Sequence, residues 1–156
     1  MSYLSFWQEN CSMEQIIRWF GDHNIAYKKE IRKYIKNKNY ESVLDCGAAV
    51  FSEYYGFKED KIDIKYTATE ITKKFIDLGI ERWIKVHDCP IQKMPFSDNY
   101  CDVLLCFAVM NHQEDFKEAI HEMVRVAKKE VIISFFKPFM EDPFVEKEII
   151  FFIPNG

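Results

Sequence analysis

Residues 42–47 read Ser42-Val43-Leu44-Asp45-Cys46-Gly47, a short apolar run that ends on an acid and a glycine. Four more runs of the same texture follow: IKYTATEI at 64–71, WIKVHDC at 83–89, DVLLCFAVM at 102–110 and EVIISFF at 130–136. Near-continuous apolar runs of this length read as strands covered on both faces, because a sheet wetted on one side would alternate polar and apolar residues. Amphipathic stretches separate them. Phe116, Ile120, Met123, Val124 and Ala127 recur at the three-and-four spacing of one helix face. Thr72 to Leu78 is a shorter helix, with Gly79 as its C-terminal cap. Alternating strands and helices joined by right-handed crossovers make a doubly wound α/β fold, with a mostly parallel sheet of about five to six strands.

Upstream, residues 12–38 read as helical. Ser12 and Gln15 form a capping-box pattern, and Met13, Ile16, Ile17 and Phe20 repeat at helical spacing until Gly21. A second helix opens at Asn24, with Ile31, Tyr34 and Ile35 as its apolar stripe. Lys28, Lys29, Arg32, Lys33, Lys36 and Lys38 make it basic, either as a solvated face or as a patch for an anionic substrate. Residues 1–40 are thus expected to be a helical segment packed on an α/β core at 41–156, one domain overall.

The chain has 156 residues, 48% hydrophobic and 29% charged, the balance of a globular protein. A net charge of -4 argues against a dedicated nucleic-acid binder. No apolar run approaches the roughly 18 residues that span a membrane, and the N-terminus lacks the features of a secretory signal. Cys11, Cys46, Cys89, Cys101 and Cys106 are odd in number and include no C-x-x-C pair, so a reducing, cytoplasmic setting without a disulfide framework or zinc site is expected.

In an open parallel sheet, ligands bind beyond the carboxyl ends of the strands. Here those ends carry Asp45, Gly47 and Ala49, then Glu70, then Asp88, then Asn111 and His112. Gly47 permits a tight turn and close backbone approach. Glu70 lies near the roughly 20-residue offset at which an acid meets ribose hydroxyls, and a carboxylate can accept one hydrogen bond from each hydroxyl of a diol. Asp88 is placed to accept from an exocyclic amine. Acids at three successive strand ends suit a ligand with hydroxyls, an amine or a positive charge better than a pyrophosphate. The G-x-G-x-x-G turn of a nicotinamide-dinucleotide enzyme is absent.

Residues 42–134 resemble the core of a class I S-adenosylmethionine-dependent methyltransferase, of the small type related to ubiquinone and menaquinone biosynthesis enzymes. The matching pieces are VLDCGAAVF, TATEIT, VHDCPIQKMPFSDNYCDVLLC and HEMVRVAKKEVIISF. The resemblance implies S-adenosylmethionine as cofactor, with Asp45 and Gly47 bordering its methionine moiety, Glu70 its ribose, Asp88 and the Cys89 backbone its adenine, and Phe107 lining the methyl-donor pocket. The family's first motif is D/E-x-G-x-G-x-G. Here it runs Asp45-Cys46-Gly47-Ala48-Ala49-Val50-Phe51, so only the first glycine remains. Ala49 is harmless at negative φ and obstructive at positive φ.

The function expected is methyl transfer to a small-molecule or sugar-like acceptor, with His112 as general base or else as a loop residue capping the next helix. The alternative is a non-catalytic relative that binds a nucleoside or serves as a partner subunit. Tyr3, Phe6, Trp7, Trp19 and Phe20 form either a lid or ordinary core. DNA and membranes are not expected as partners. After residue 139 the resembled family continues with a helix and two further strands, whereas MEDPFVEKEIIFFIPNG allows one helical turn and one strand. Phe151, Phe152 and Ile153 are then an apolar edge for packing, or for a homodimer or partner chain.

Overall fold

In a computed structural model the described residues are 9–112 and 116–135, with 149–152 described for their backbone. Two N-terminal helices, α1 (Met13–Phe20) and α2 (Ala26–Asn37), precede β1 (Ser42–Cys46), α3 (Ser52–Glu59), β2 (Lys65–Glu70), α4 (Lys73–Glu81) and β3 (Val86–Asp88). Then come β4 (Cys101–Phe107), a 3-10 turn at Met110–His112, α5 (Lys117–Val126), β5 (Ala127–Ser134) and β6 (Ile149–Phe152). The sheet order is β3-β2-β1-β4-β5-β6. Its first five strands are parallel and β6 runs antiparallel to β5.

Strand side chains alternate between two cores, as a double winding requires. Leu44, Cys46, Leu104, Cys106, Val131 and Ile133 pack with Met123 and Val126 of α5. Val43, Val103, Leu105 and Ile132 pack on the other face with Ile31 and Ile35 of α2 and Phe57 of α3. The connections turn one way from β1 through β3 and the other way from β4, so the switch point lies between β1 and β4. There the loops after both strands meet: a Cβ on Gly47 would collide with Val109.

The capping box forms as expected: Ser12 Oγ accepts from the Gln15 amide at 3.2 Å and Gln15 Oε1 from the Ser12 amide at 2.9 Å. Gly79 is not a cap. It lies inside α4, whose C-cap is Arg82, because the helix crosses Phe51 too closely there for a side chain. Helix α3 has no apolar stripe, since its buried side consists of Ser52, Glu53, Gly56 and Phe57. Tyr3, Phe6, Trp7 and Ile153 fall outside the described residues. Among the described residues, no helix is long and apolar enough to cross a membrane.

The basic helix α2 divides in two. Lys29, Lys33, Lys36 and Lys38 are exposed, whereas Lys28 and Arg32, one turn apart, are buried. Lys28 Nζ meets Glu53 of α3 at 3.0 Å and donates to Ser52 Oγ at 2.6 Å. Arg32 reaches Glu53 at 3.4 Å, Asp60 at 2.6 Å and the His23 carbonyl at 2.9 Å. Its guanidinium occupies the space that a Cβ on Gly56 would need. Removing one member of a buried ion network strands the others, at a cost of about 3–5 kcal/mol. Arg32→Met is therefore expected to lower the urea midpoint by an amount corresponding to about 3 kcal/mol or more.

Candidate functional site

At the carboxyl end of β1 the chain turns into α3 through Gly47-Ala48-Ala49-Val50-Phe51. The amides of Gly47 and Ala48 both donate to the Thr69 carbonyl, at 2.9 and 3.2 Å, and Phe51 N donates to Ala48 O at 2.8 Å. The φ angles at Gly47, Ala49 and Phe51 are 69°, 45° and 62°. Every second residue is left-handed, at the three positions where the motif of the resembled family places glycine. The backbone of a three-glycine loop is thus present with only one glycine. Each substituted residue carries a cost of about 1–2 kcal/mol that the surroundings must offset.

Part of that offset comes from Glu70, the last residue of β2. It is buried, and its Oε2 accepts from the Ala49 amide at 3.0 Å. Its Oε1 accepts from Ile71 N at 2.8 Å and Thr72 N at 3.0 Å. One carboxylate therefore joins the β1 loop to the start of α4. Among the described residues Oε2 has a single protein donor, so that oxygen retains acceptor capacity.

These ends enclose a cleft of about 320 Å³ whose walls include Gly47, Ala49, Glu70, Cys89, Phe107 and His112. Thr69, Ile71, Thr72, Phe75, Pro90, Ile91, Gln92, Ala108 and Val109 complete it, with Phe20 of α1 above. Ile71, Phe75, Pro90, Ile91, Gln92, Ala108 and Val109 are wall residues to which the sequence pattern assigned no role. Asp88 is exposed at the end of β3, and the wall passes from Glu70 to Cys89 without it. Cys89 is buried, and burial pushes its thiol up to about 11, so it stays protonated.

Asp45 faces a second, smaller recess of about 70 Å³ that shares Phe20, Gly47, Ala49, Phe107 and Ala108 with the cleft. Its other walls include Trp19, Tyr27, Lys28, Ser52 and Glu53. Tyr66 donates its hydroxyl to Asp45 at 2.5 Å, and Tyr27 packs edge-on against Phe107 with centroids 5.8 Å apart. Burial, then the neighbouring Glu53 charge, pushes the Asp45 carboxyl up to about 7 against the opposing pull of Tyr66 and Lys28.

Of the histidines, only His112 reaches the cleft among the described residues. Its amide donates to Val109 O at 2.9 Å within the 3-10 turn, and partial burial lowers its pKa, which favours neutral imidazole at pH 7. His121 is exposed on α5, and His87 packs edge-on against Phe96, with ring centroids 4.9 Å apart. His23 pairs with Glu59. No group of three or more metal-ligating side chains converges among the described residues.

The raised Asp45 pKa carries a sign. Between the unfolded value near 4 and the folded value of about 7, the native state holds a proton the unfolded chain has lost. Stability is therefore expected to fall as pH rises through that window, and Asp45→Asn to flatten the decline. Urea unfolding midpoints measured from pH 4 to pH 8 check this.

The uncharacterized protein MJ1123 of Methanocaldococcus jannaschii is 28% identical over 120 residues, which cover 74% of this chain and 54% of that protein. A crystal structure of an S-adenosylmethionine-dependent methyltransferase candidate from Methanococcus maripaludis superposes with a TM-score of 0.63 at 17% identity, covering 78% of this chain and 59% of the other. An S-adenosylmethionine-dependent methyltransferase from Thermotoga maritima gives 0.57 at 22% identity, with 77% and 56% covered. The chain thus spans little more than half the length of these proteins. A family model described as a methyltransferase domain matches residues 44–135. That match runs from within β1 to the end of β5, more than half of the sequence, and the chain accordingly belongs to the S-adenosylmethionine-dependent methyltransferase family.

Proposed function

We propose that this domain binds S-adenosylmethionine in the cleft between Glu70 and Phe107 and transfers its methyl group to a small-molecule acceptor. The observation that carries this reading is the Glu70 carboxylate, buried at the end of β2 and bordering a cleft of about 320 Å³, within the size range of sites for drug-sized ligands. The residues present fit the cofactor. Glu70 Oε2 can accept from a ribose hydroxyl. Cys89–Gln92 offer a wall for adenine. The recess at Asp45, Glu53 and Lys28 combines both signs of charge, as the ammonium and carboxylate of an amino-acid tail require.

When bound, S-adenosylmethionine supplies a methyl group on a sulfonium, which leaves by in-line displacement. Phe20 and Phe107 line both cavities and Tyr27 lines the recess, and aromatic faces favour a positive sulfonium. The Gly47–Phe51 loop fixes the tail of the donor, so that alignment is set before an acceptor arrives. Lowered basicity keeps His112 neutral and able to take a proton from an acceptor that must lose one. A small-molecule or sugar-like acceptor would approach past Phe107, which lines both the cleft and the recess. A cytoplasmic setting, no DNA substrate and no membrane attachment belong to the same proposal, as does a second chain along β6.

Calorimetric titration with S-adenosylhomocysteine tests the donor site. A Kd in the micromolar range, about -8 kcal/mol, is expected. Glu70→Ala is expected to weaken binding by about tenfold or more, because it removes the diol acceptor and releases the Ala49 amide. A folded protein that binds neither S-adenosylhomocysteine nor S-adenosylmethionine would contradict the proposal.

A further inference from the structure

Phe51 stands where the family motif has its third glycine, and its ring is fully buried beside Ala48, Ala68 and Ile84. The ring ends against α4. A Cβ built on Gly79 would lie 2.7 Å from Phe51 Cζ and 3.2 Å from Cε2, and 2.9 Å from Cγ1 of Val86. Gly79 therefore leaves a notch into which a phenylalanine and the first residue of β3 both fit. Neither Phe51 nor Gly79 lines the cleft.

Both neighbours of that notch lead to the cleft walls. Phe51 closes the loop through its amide on Ala48 O, two residues beyond Ala49, which Glu70 holds. Val86 opens the three-residue strand that runs into Cys89, whose amide donates to Glu70 O at 3.2 Å. A methyl at position 79 would press on both walls at once, since a ring with no exposed surface has nowhere to swing.

We infer that Phe51, seated in the notch at Gly79, is a positioning residue. It replaces backbone freedom with side-chain packing and holds the Gly47–Phe51 loop in the shape that receives the donor. This rests on the donor-site reading above. The pairing also explains how a bulky residue occupies a left-handed position: the packing of its ring holds the strained backbone in place.

The test is a double-mutant cycle read as the Kd for S-adenosylhomocysteine, at a temperature where near-ultraviolet circular dichroism shows each variant folded. Gly79→Ala is expected to weaken binding about tenfold. Phe51→Leu removes the far edge of the ring, so the double variant is expected to bind within about threefold of Phe51→Leu alone. Asp77→Ala, on the same helix but ion-paired at the surface with Lys73, is expected to bind like the unmodified protein. A folded Gly79→Ala with unchanged Kd overturns the inference, as does a double variant weakened by the product of the two single effects. Should Gly79→Ala fail to fold, the double variant decides: a Kd matching Phe51→Leu supports the wedge, and a Kd about tenfold weaker overturns it. If the unmodified protein binds no S-adenosylhomocysteine, the donor-site reading fails and this inference fails with it.

Discussion

The left-handed turn at alternate residues 47, 49 and 51 is the constraint around which the site is built. It lets the chain leave β1, fold back over the sheet and enter α3 within five residues, bringing backbone amides to the switch point between β1 and β4. Three glycines would accept that path without strain. Here only Gly47 does, and a Cβ at that position would also collide with Val109. Ala49 is held through its amide by Glu70, and Phe51 through its ring. The loop gives up conformational freedom and gains fixed packing, which suits a binding surface that must be formed before its ligand arrives.

Electrostatics complete the picture on the other side of the loop. Lys28 and Arg32 are drawn inward by Glu53 and Asp60, which fastens α2 to α3 and brings a cation and a carboxylate to the wall of the recess that Asp45 faces. Burial, then the neighbouring Glu53 charge, pushes Asp45 toward neutrality. A ligand bearing positive charge would favour its ionised form, so ligand binding and the charge of Asp45 are coupled.

The layer architecture was legible because buried parallel strands have a texture of their own: five apolar runs predicted five parallel strands in their observed places. The acid and glycine at the ends of β1 and β2 were legible by position. Ala49 and Glu70, Cys89 and Phe107 do share one cleft, whereas Asp45 lies at the neighbouring recess and Asp88 lines neither. What could not be read was set by contacts remote in sequence. Gly79 resembles a helix cap in isolation, and only the ring of Phe51 explains it as an interior glycine. Likewise, Lys28 and Arg32 are two cations in a run of six until Glu53 and Asp60 are brought opposite them. Helix α3 offered no periodic signal, because its buried side is mostly polar or small.

Amide chemical shifts recorded during titration with S-adenosylhomocysteine locate the ligand residue by residue. Perturbations are expected at Gly47, Ala49 and Phe51, at Ile71 and Thr72 beside Glu70, and at Cys89 and Gln92. Binding that leaves the Gly47–Phe51 amides unmoved and shifts residues elsewhere, for example around the exposed Trp83, would contradict the proposed donor site.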